Sequence, residues 1–426
     1  MKKKFVGLDI LRFGLAIYLM VYHTIHSYPD ITTLPFNELL GLGGAATSSF
    51  FILSGFILAH VYFGTESTVL RGGARDFLIK RLSNLYPLHI ISLGLFLVVI
   101  LCGGGSGSLG AYSQTAMGDM PGQIVHLGPF ELFFNRILAL LMLDTWNPLY
   151  VTLNPPAWSL SVLMFFYLCF PFLAPRLLSA PRQGRALLLI WLAYLVPPVI
   201  AGAMQWYGPA AVGLISANPV LRLPEFMAGI VFYGMYRNGA LAPLLRVQHW
   251  KHYVLGFVVV SFISAAWLTA HGALFWTYIV HNGAMLPAEL LLLLVFAQSM
   301  EGSSPRVTRW AARLGNASLS IFALHLSLFF IFVKLEKLFG TGMSPLACFQ
   351  QRGLCIAAYK AAPPLLAAYP LYLIATVFAA IYFQEVIVVK VRDALRARLL
   401  APRVVARPAP QSVSGAAAPA GKTRSS

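Results

Sequence analysis

The chain has 426 residues, of which 58% are hydrophobic and 11% are charged, and its formal net charge is +17. Soluble domains carry roughly a quarter charged residues, so this composition excludes a protein that is wetted on all sides. Apolar runs of about 20 residues, the length that crosses a bilayer, recur from one end of the chain to the other. The sequence therefore predicts an all-α integral membrane protein.

Ten apolar segments are long enough to cross a membrane as helices, and we expect them to form one membrane domain over residues 1–400. In chain order the predicted spans are 8–27, 44–63, 84–103, 157–175, 184–206, 220–237, 251–270, 276–299, 314–334 and 365–389. Most Lys and Arg residues lie between alternate spans or near the ends of the chain, and such residues favour the cytoplasmic side. We therefore expect a multi-pass protein of the cell membrane with both termini in the cytoplasm.

The excess of positive charge lies mainly in the predicted cytoplasmic loops and in the Ala- and Pro-rich tail 401–426, which we expect to be disordered. A nucleic-acid partner would require basic and aromatic residues together on one soluble face, and no segment offers one. The partners expected for these basic residues are membrane lipids.

Two polar residues of the first span lie on one face of the predicted helix. Arg12 and His23 are eleven positions apart, which corresponds to nearly whole turns and to about 16.5 Å along the helix axis. Ionisable groups are costly inside a bilayer, so Arg12 in the inner half and His23 in the outer half are candidate functional residues. An alternative stays open, in which Arg12 only pairs with Asp9 and His23 only hydrogen-bonds a neighbouring helix.

A second group of polar residues marks the inner end of the third span. Lys80 and Arg81 stand near the expected depth of Arg12, and Tyr86 follows them in the span. Cations at this depth favour a phosphate-bearing ligand, because guanidinium groups bind phosphate through two parallel hydrogen bonds. They are also typical of simple topology anchors.

Polar residues of later spans lie nearer the depth of His23. Arg222 and Glu225 open the sixth span and either neutralise each other or face a ligand. His325 in the ninth span is a candidate partner of the site, whereas Glu289 in the eighth span is better explained as a structural hydrogen-bonding residue.

The predicted outer loops hold histidines and cysteines that are weaker candidates for functional residues. His271 and His281 flank one loop and are expected to be surface residues. Cys348 and Cys355 share another loop, in which a disulfide is chemically permitted. No metal-ligand spacing is present, so neither a metal nor a permanently bound cofactor is expected.

Several motifs in chain order resemble the membrane acyltransferase-three family, which includes bacterial O-antigen and exopolysaccharide O-acetyltransferases. The motifs are Leu8-Asp9-Ile10-Leu11 before Arg12 and His23, Phe50-Phe51-Ile52-Leu53-Ser54-Gly55-Phe56, Lys80-Arg81 to Tyr86-Pro87, Pro156-Ala157-Trp158-Ser159-Leu160-Ser161, Arg222-Leu223-Pro224-Glu225-Phe226, and Leu314-Gly315-Asn316-Ala317-Ser318 before His325. The likeness runs over roughly residues 7–390. No single motif is specific, but their common order makes the resemblance strong.

The resemblance implies a ten-helix enzyme of the bacterial cytoplasmic membrane that takes acyl-CoA, acetyl-CoA above all, as its co-substrate. It transfers the acyl group to a hydroxyl of an extracytoplasmic or lipid-linked carbohydrate. His23 is the implied catalytic base. The other implied site residues are Arg12, Arg81, Lys80 and Tyr86 for the CoA donor, and Trp158, Ser159, Arg222, Glu225 and His325 around the acceptor.

One position departs from the family pattern. The family has a glutamate after Trp-Ser-Leu-Ser-Val, and this chain has Leu163 there. Two other interpretations therefore stay open beside the enzyme. One is a catalytically impaired acyl-CoA-binding homologue, whereas an active enzyme would use Glu225 in compensation or be a divergent member. The other is a multi-span transporter or flippase, because intramembrane Arg, His and Glu also suit proton coupling.

Overall fold

The structure is a computed structural model, and it describes residues 4–33, 37–64, 67–102, 111–113, 124–125 and 127–400. The predicted disordered tail 401–426 lies outside the described residues. Of the predicted spans, all ten coincide with helical segments.

The described residues are mainly helical. The α-helices are α1 (Val6–Thr24), α2 (Gly43–Phe63), α3 (Gly73–Cys102), α4 (Pro129–Leu140), α5 (Trp158–Leu178), α6 (Gln183–Ala203), α7 (Pro209–Ala217), α8 (Pro219–Arg237), α9 (Ala242–Leu245), α10 (Trp250–His271), α11 (Leu274–Ile279), α12 (Leu286–Ala297), α13 (Pro305–Gly340), α14 (Pro345–Gln350), α15 (Arg352–Ala361), α16 (Tyr369–Tyr382) and α17 (Val389–Leu400). Wider π-helical turns at Val280–Ala284 and Phe383–Val388 join α11 to α12 and α16 to α17.

Three short strands lie between α3 and α5. They are β1 (Ala111–Ser113), β2 (Ile124–Val125) and β3 (Tyr150–Val151), and they pair antiparallel in the order β2-β1-β3. Their register sets Ala111 opposite Val125 and Tyr112 opposite Val151. Strands of two or three residues are too short to give an alternating hydrophobic pattern, so the sequence did not predict them.

The prediction of an all-α membrane protein is confirmed. Eight helical segments of the described residues are long and apolar enough to span a membrane, and a ninth counts if α11 and α12, bent by 40°, form one span. The predicted span 220–237 coincides with α8, which is not among them. The count of ten and the side of the two termini stay predictions.

Several helices extend beyond the predicted spans. α3 begins at Gly73 rather than at 84, α13 runs over Pro305–Gly340, and the last span continues through α17 to Leu400. The apolar pattern stops where charged residues begin, but the backbone hydrogen bonding of a helix does not. The ends of these helices therefore carry charged side chains as direct continuations of the apolar segments.

Glycines allow the central helices to approach closely. A Cβ on Gly55 of α2 would overlap the Phe226 carbonyl of α8, and one on Gly229 of α8 would overlap the Ile52 carbonyl of α2. In the same way Gly315 of α13 packs against Asp9 of α1. Small residues of this kind are typical of helix contacts in membranes. These contacts bring α2 close to α8 and α1 close to α13.

The bundle also contains a disulfide. It joins Cys348 and Cys355 between α14 and α15, as the sequence permitted.

Candidate functional site

A cavity of about 350 Å³ lies near the amino-terminal end of α1. Its cationic lining residues, which define it as the cationic cavity, are Arg12 of α1, Lys80 and Arg81 of α3, Arg313 of α13, and Arg392 and Arg396 of α17. Uncharged polar side chains lie between them, including Asn84, Asn316 and Gln384. Glu385 is the one carboxylate among the described lining residues.

Carboxylates neutralise some of these cations. Arg12 donates a hydrogen bond to Asp9 and also lines the cavity, so the ion pair does not withdraw it from the cavity wall. Lys80 donates to Asp76 at 2.8 Å, and Arg313 reaches both oxygens of Glu385 at 2.5 and 2.8 Å. Arg392 contacts Asp393 at 2.8 Å.

Two arginines of the cavity have no carboxylate partner among the described residues. Arg396 donates to the Ser83 hydroxyl at 3.0 Å and to the Lys80 carbonyl at 2.6 Å. The guanidinium of Arg81 stacks over the Tyr62 ring at 5.0 Å from its centroid. The cavity therefore keeps an excess of positive charge, which suits a ligand with several negative charges.

A second cavity, of about 160 Å³, lies at the other end of α1. His23 lines it together with Tyr22, Gly43, Gly44, Thr47, Trp158, Ser216, Ala217, His281 and Phe322, and these residues define the histidine cavity. Arg12 and His23 thus line two different cavities along α1.

The hydrogen bonds of His325 fix the proton positions in the histidine cavity. His325 is fully buried, and its Nδ1 lies 2.7 Å from the Phe322 carbonyl, which can only accept a hydrogen bond. Nδ1 therefore carries the proton, and His325 Nε2 accepts from His23 Nδ1 at 3.2 Å. A neutral His23 then has its lone pair on Nε2, which is the form that a general base requires.

A narrow apolar constriction of about 20 Å³ lies between the two cavities. Phe50, Leu163 and Leu319 line both the constriction and the cationic cavity, while Thr47 and Phe322 line both the constriction and the histidine cavity. These residues define the neck. Leu163, the position of the departure from the family pattern, therefore lies between the two cavities.

Of the remaining predicted site residues, some line the cavities and others do not. Trp158 lines the histidine cavity, and Ser159 lines the neck, where its hydroxyl donates to the Pro156 carbonyl at 3.3 Å. Tyr86 is 40% exposed and is not among the residues that line the cationic cavity.

Arg222 and Glu225 form a buried ion pair, and further polar side chains hydrogen-bond to it. Both are fully buried, 3.2 Å apart, and the Tyr194 hydroxyl donates to Glu225 at 2.6 Å. Arg222 also donates to the Ser48 hydroxyl at 3.1 Å. Neither residue lines these three cavities.

Sequence reasoning missed several residues of the site. Arg313, Arg392 and Arg396 were counted only as cytoplasmic charge, although the spacing of Arg392 and Arg396 places both on one helix face. The prediction for His281 was wrong, because it lines the histidine cavity, whereas His271 is exposed and pairs with Glu38 at 2.8 Å. Within the described residues, no three His, Cys, Asp or Glu side chains group as a metal site requires.

Comparison with known proteins shows which family the chain matches. A model described as an acyltransferase domain matches residues 5–385. The acyltransferase MdmB of Streptomyces mycarofaciens is 25% identical over 297 residues, which is 67% of either chain. Protein 2 in the picA locus of Rhizobium radiobacter is 33% identical over 166 residues, covering 37% of this chain and 76% of that protein. No solved structure matches the chain.

Proposed function

This chain belongs to the acyltransferase-three family of membrane proteins, and on that premise we propose that it transfers an acyl group from acyl-CoA to a carbohydrate hydroxyl. The donor binds in the cationic cavity and the acceptor in the histidine cavity. The observation that carries the proposal is the neck, since Phe50, Leu163 and Leu319 belong to it and to the cationic cavity at once. The neck holds about 20 Å³, roughly the room for one water molecule, so the proposal requires it to widen when the pantetheine arm of CoA enters.

The cationic cavity supports a CoA donor through its charge. CoA carries a diphosphate and a 3′-phosphate, and arginine binds phosphate oxygens with two parallel N–H groups. Arg81 and Arg396 are the residues best placed for this role, because neither is neutralised by a carboxylate of the described residues.

The proposed reaction moves one proton through His23. The acceptor hydroxyl gives its proton to His23 Nε2 while its oxygen attacks the thioester carbonyl carbon. The carbon–sulfur bond then breaks, and the CoA thiolate takes the proton back from His23. His325 stabilises the intermediate imidazolium, because its Nε2 accepts from His23 Nδ1 at 3.2 Å.

The proposal includes an orientation in the membrane. α8 supplies the tenth span, and both termini lie in the cytoplasm of a bacterial cell. The cationic cavity then opens where soluble acyl-CoA is present, and the histidine cavity faces the opposite side. The distribution of Lys and Arg supports this orientation. We infer acetyl as the acyl group from the resemblance to bacterial O-acetyltransferases.

Replacing Arg81 and Arg396 by Gln tests the donor site. Each substitution is expected to weaken CoA binding by about tenfold or more, since a hydrogen bond to a charged group contributes about 1.5–3 kcal/mol. Binding of pantetheine, which lacks the phosphates, is expected to stay unchanged. Arg398→Gln is the matched control. Arg398 lies on α17, the helix of Arg396, but it is exposed and does not line the cavity. Equal affinities for CoA in all three variants would contradict the proposed site.

Replacing His325 tests the proton assignment. His325→Leu removes the acceptor for His23 Nδ1, and CoA release from acetyl-CoA is expected to fall by at least about tenfold, because an orienting partner sets the tautomer of a catalytic histidine. His325→Gln keeps an acceptor oxygen and is expected to retain most of the rate. The KM for acetyl-CoA is expected to be the same in both variants. Equal losses of rate in the two would show that His325 only fills space.

An acyl-CoA-binding protein without catalysis is the second candidate function. Leu163 favours it, because an apolar side chain stands in the neck where the family has a carboxylate. This candidate predicts CoA binding without CoA release, and a gain of release in Leu163→Glu. Release by the unsubstituted protein would exclude it.

A further inference from the structure

The span formed by α11 and α12 breaks beside the histidine cavity. Asn282 and Gly283 have non-helical backbone angles, and Gly283 has a φ of 114°, which favours glycine. The segment Val280–Ala284 therefore turns the chain by 40° inside the bundle. In membrane proteins such a break is tolerated where the backbone is held by other protein groups or lines a cavity.

Side chains of two other helices hold the break in place. Arg222 of α8 donates to the His281 carbonyl at 3.3 Å and to Asn282 Oδ1 at 3.0 Å. Trp191 of α6 donates to the Gly283 carbonyl at 2.8 Å. The carbonyl groups of His281 and Gly283 thus accept hydrogen bonds from two neighbouring helices, which hold the backbone on both sides of Asn282.

The break directs the side chain of His281 to the histidine cavity. His281 lines this cavity together with His23 and Trp158, and His281 Nε2 is buried without a hydrogen-bond partner among the described residues. An unpaired buried polar group costs free energy, so an atom of this kind at a cavity wall is a candidate to bind a ligand.

Gly44 gives the His281 ring the space that it occupies. A Cβ added to Gly44 of α2 would overlap the His281 ring at Nδ1 and at the adjacent Cε1. Gly44 therefore limits the movement of the ring, whose Nε2 is buried and has no hydrogen-bond partner among the described residues. Imidazole Nε2 either donates or accepts a hydrogen bond, and a hydroxyl group can complement both forms.

We propose that His281 binds a hydroxyl of the acceptor through Nε2, and that Arg222 positions His281 by holding the break in the helix. This inference rests on the proposed function and adds an acceptor-binding residue to it. It also gives Arg222 a role in the site without contact with the substrate. His23 then deprotonates one hydroxyl while His281 holds another polar group of the same molecule.

The test uses the purified full-length protein with acetyl-CoA labelled in the acetyl group and methyl α-D-glucopyranoside as the acceptor probe. The label is recovered either as acetyl glucoside or, after hydrolysis, as acetate. His281→Ala is expected to lower the ratio of ester to acetate by about tenfold, the effect of one lost hydrogen bond to the acceptor. The ratio compares transfer with hydrolysis in the same variant, so an equal loss of both reactions would leave it unchanged.

Two further variants separate binding from folding. His281→Gln keeps a hydrogen-bonding group and is expected to restore part of the ratio. Gly44→Ala is expected to lower the ratio by displacing the His281 ring, whereas Gly14→Ala is the matched control because an added Cβ there meets no atom within 4 Å. His271→Ala, at an exposed histidine, is expected to change nothing.

The outcomes distinguish this inference from the proposed function. An unchanged ratio in His281→Ala would overturn the inference, whereas hydrolysis of acetyl-CoA by the original protein without any ester would contradict the proposed transfer on which the inference rests. A parallel loss of hydrolysis and transfer in His281→Ala would also overturn it by showing a structural role. Absence of CoA release from the original protein would instead overturn the proposed function on which the inference rests.

Discussion

Replacing His23 by Ala is expected to lower CoA release from acetyl-CoA by about 10²- to 10⁴-fold, the usual contribution of a positioned general base. The reason is the tautomer: the Phe322 carbonyl and His325 place the proton of His23 on Nδ1, which leaves Nε2 as the base. CoA binding is expected to be unchanged, because His23 does not line the cationic cavity. The measurement is the rate of free thiol formation at saturating acetyl-CoA.

His26→Ala is the matched control for this prediction. His26 is exposed and lies just beyond the end of α1, so its loss removes an imidazole without altering either cavity. We expect the rate of the original protein in this variant. If His23→Ala turned over acetyl-CoA as fast as His26→Ala, His23 would not be the base.

Replacing Leu163 by Trp is expected to separate donor binding from transfer. Leu163 is 6% exposed and lines the neck, which has a volume of about 20 Å³, so an indole leaves no passage for the pantetheine arm. Misplacement of reacting groups by about 1 Å can cost about 10²-fold in rate, and a blocked neck is expected to cost at least that. The affinity for CoA is expected to fall little, because the phosphate-binding arginines are unchanged.

A second tryptophan variant controls for the bulk of the side chain. Leu168→Trp lies on the same helix, where Leu168 is 45% exposed, and it is expected to release CoA at the original rate. Overpacking in Leu163→Trp costs about 1–3 kcal/mol, so thermal unfolding of both variants is measured beside activity. Normal CoA release by a folded Leu163→Trp protein would show that the acyl group does not pass the neck.

The membrane class and the positions of most helices follow from the sequence because the apolar runs are long. The limits of this reasoning appear where helices carry charge. The predicted third span begins at 84, yet α3 begins at Gly73 and thereby brings Lys80 and Arg81 into the cationic cavity. Hydropathy cannot show this, because a charged residue on a helix that lines a polar cavity resembles one in a cytoplasmic loop.

For the candidate site, too, some features could be predicted from the sequence and others could not. The positions of Arg12 and His23 on one helix face were predicted from helix geometry alone, and in the structure the two residues line different cavities. The role of His281 depends on a break in a span that reads as continuous in hydropathy. Likewise, the sequence left open whether Arg222 faces a ligand or pairs with Glu225, because only tertiary packing decides between these.

The central claim is that donor and acceptor meet from opposite sides of the membrane through the neck. The most direct measurement uses the protein in sealed vesicles, with labelled acetyl-CoA outside and methyl α-D-glucopyranoside either trapped inside or present only outside. We expect labelled acetyl glucoside inside the vesicles and CoA released outside, and no ester when donor and sugar share the outer side. Ester formed only when both are outside would contradict the account.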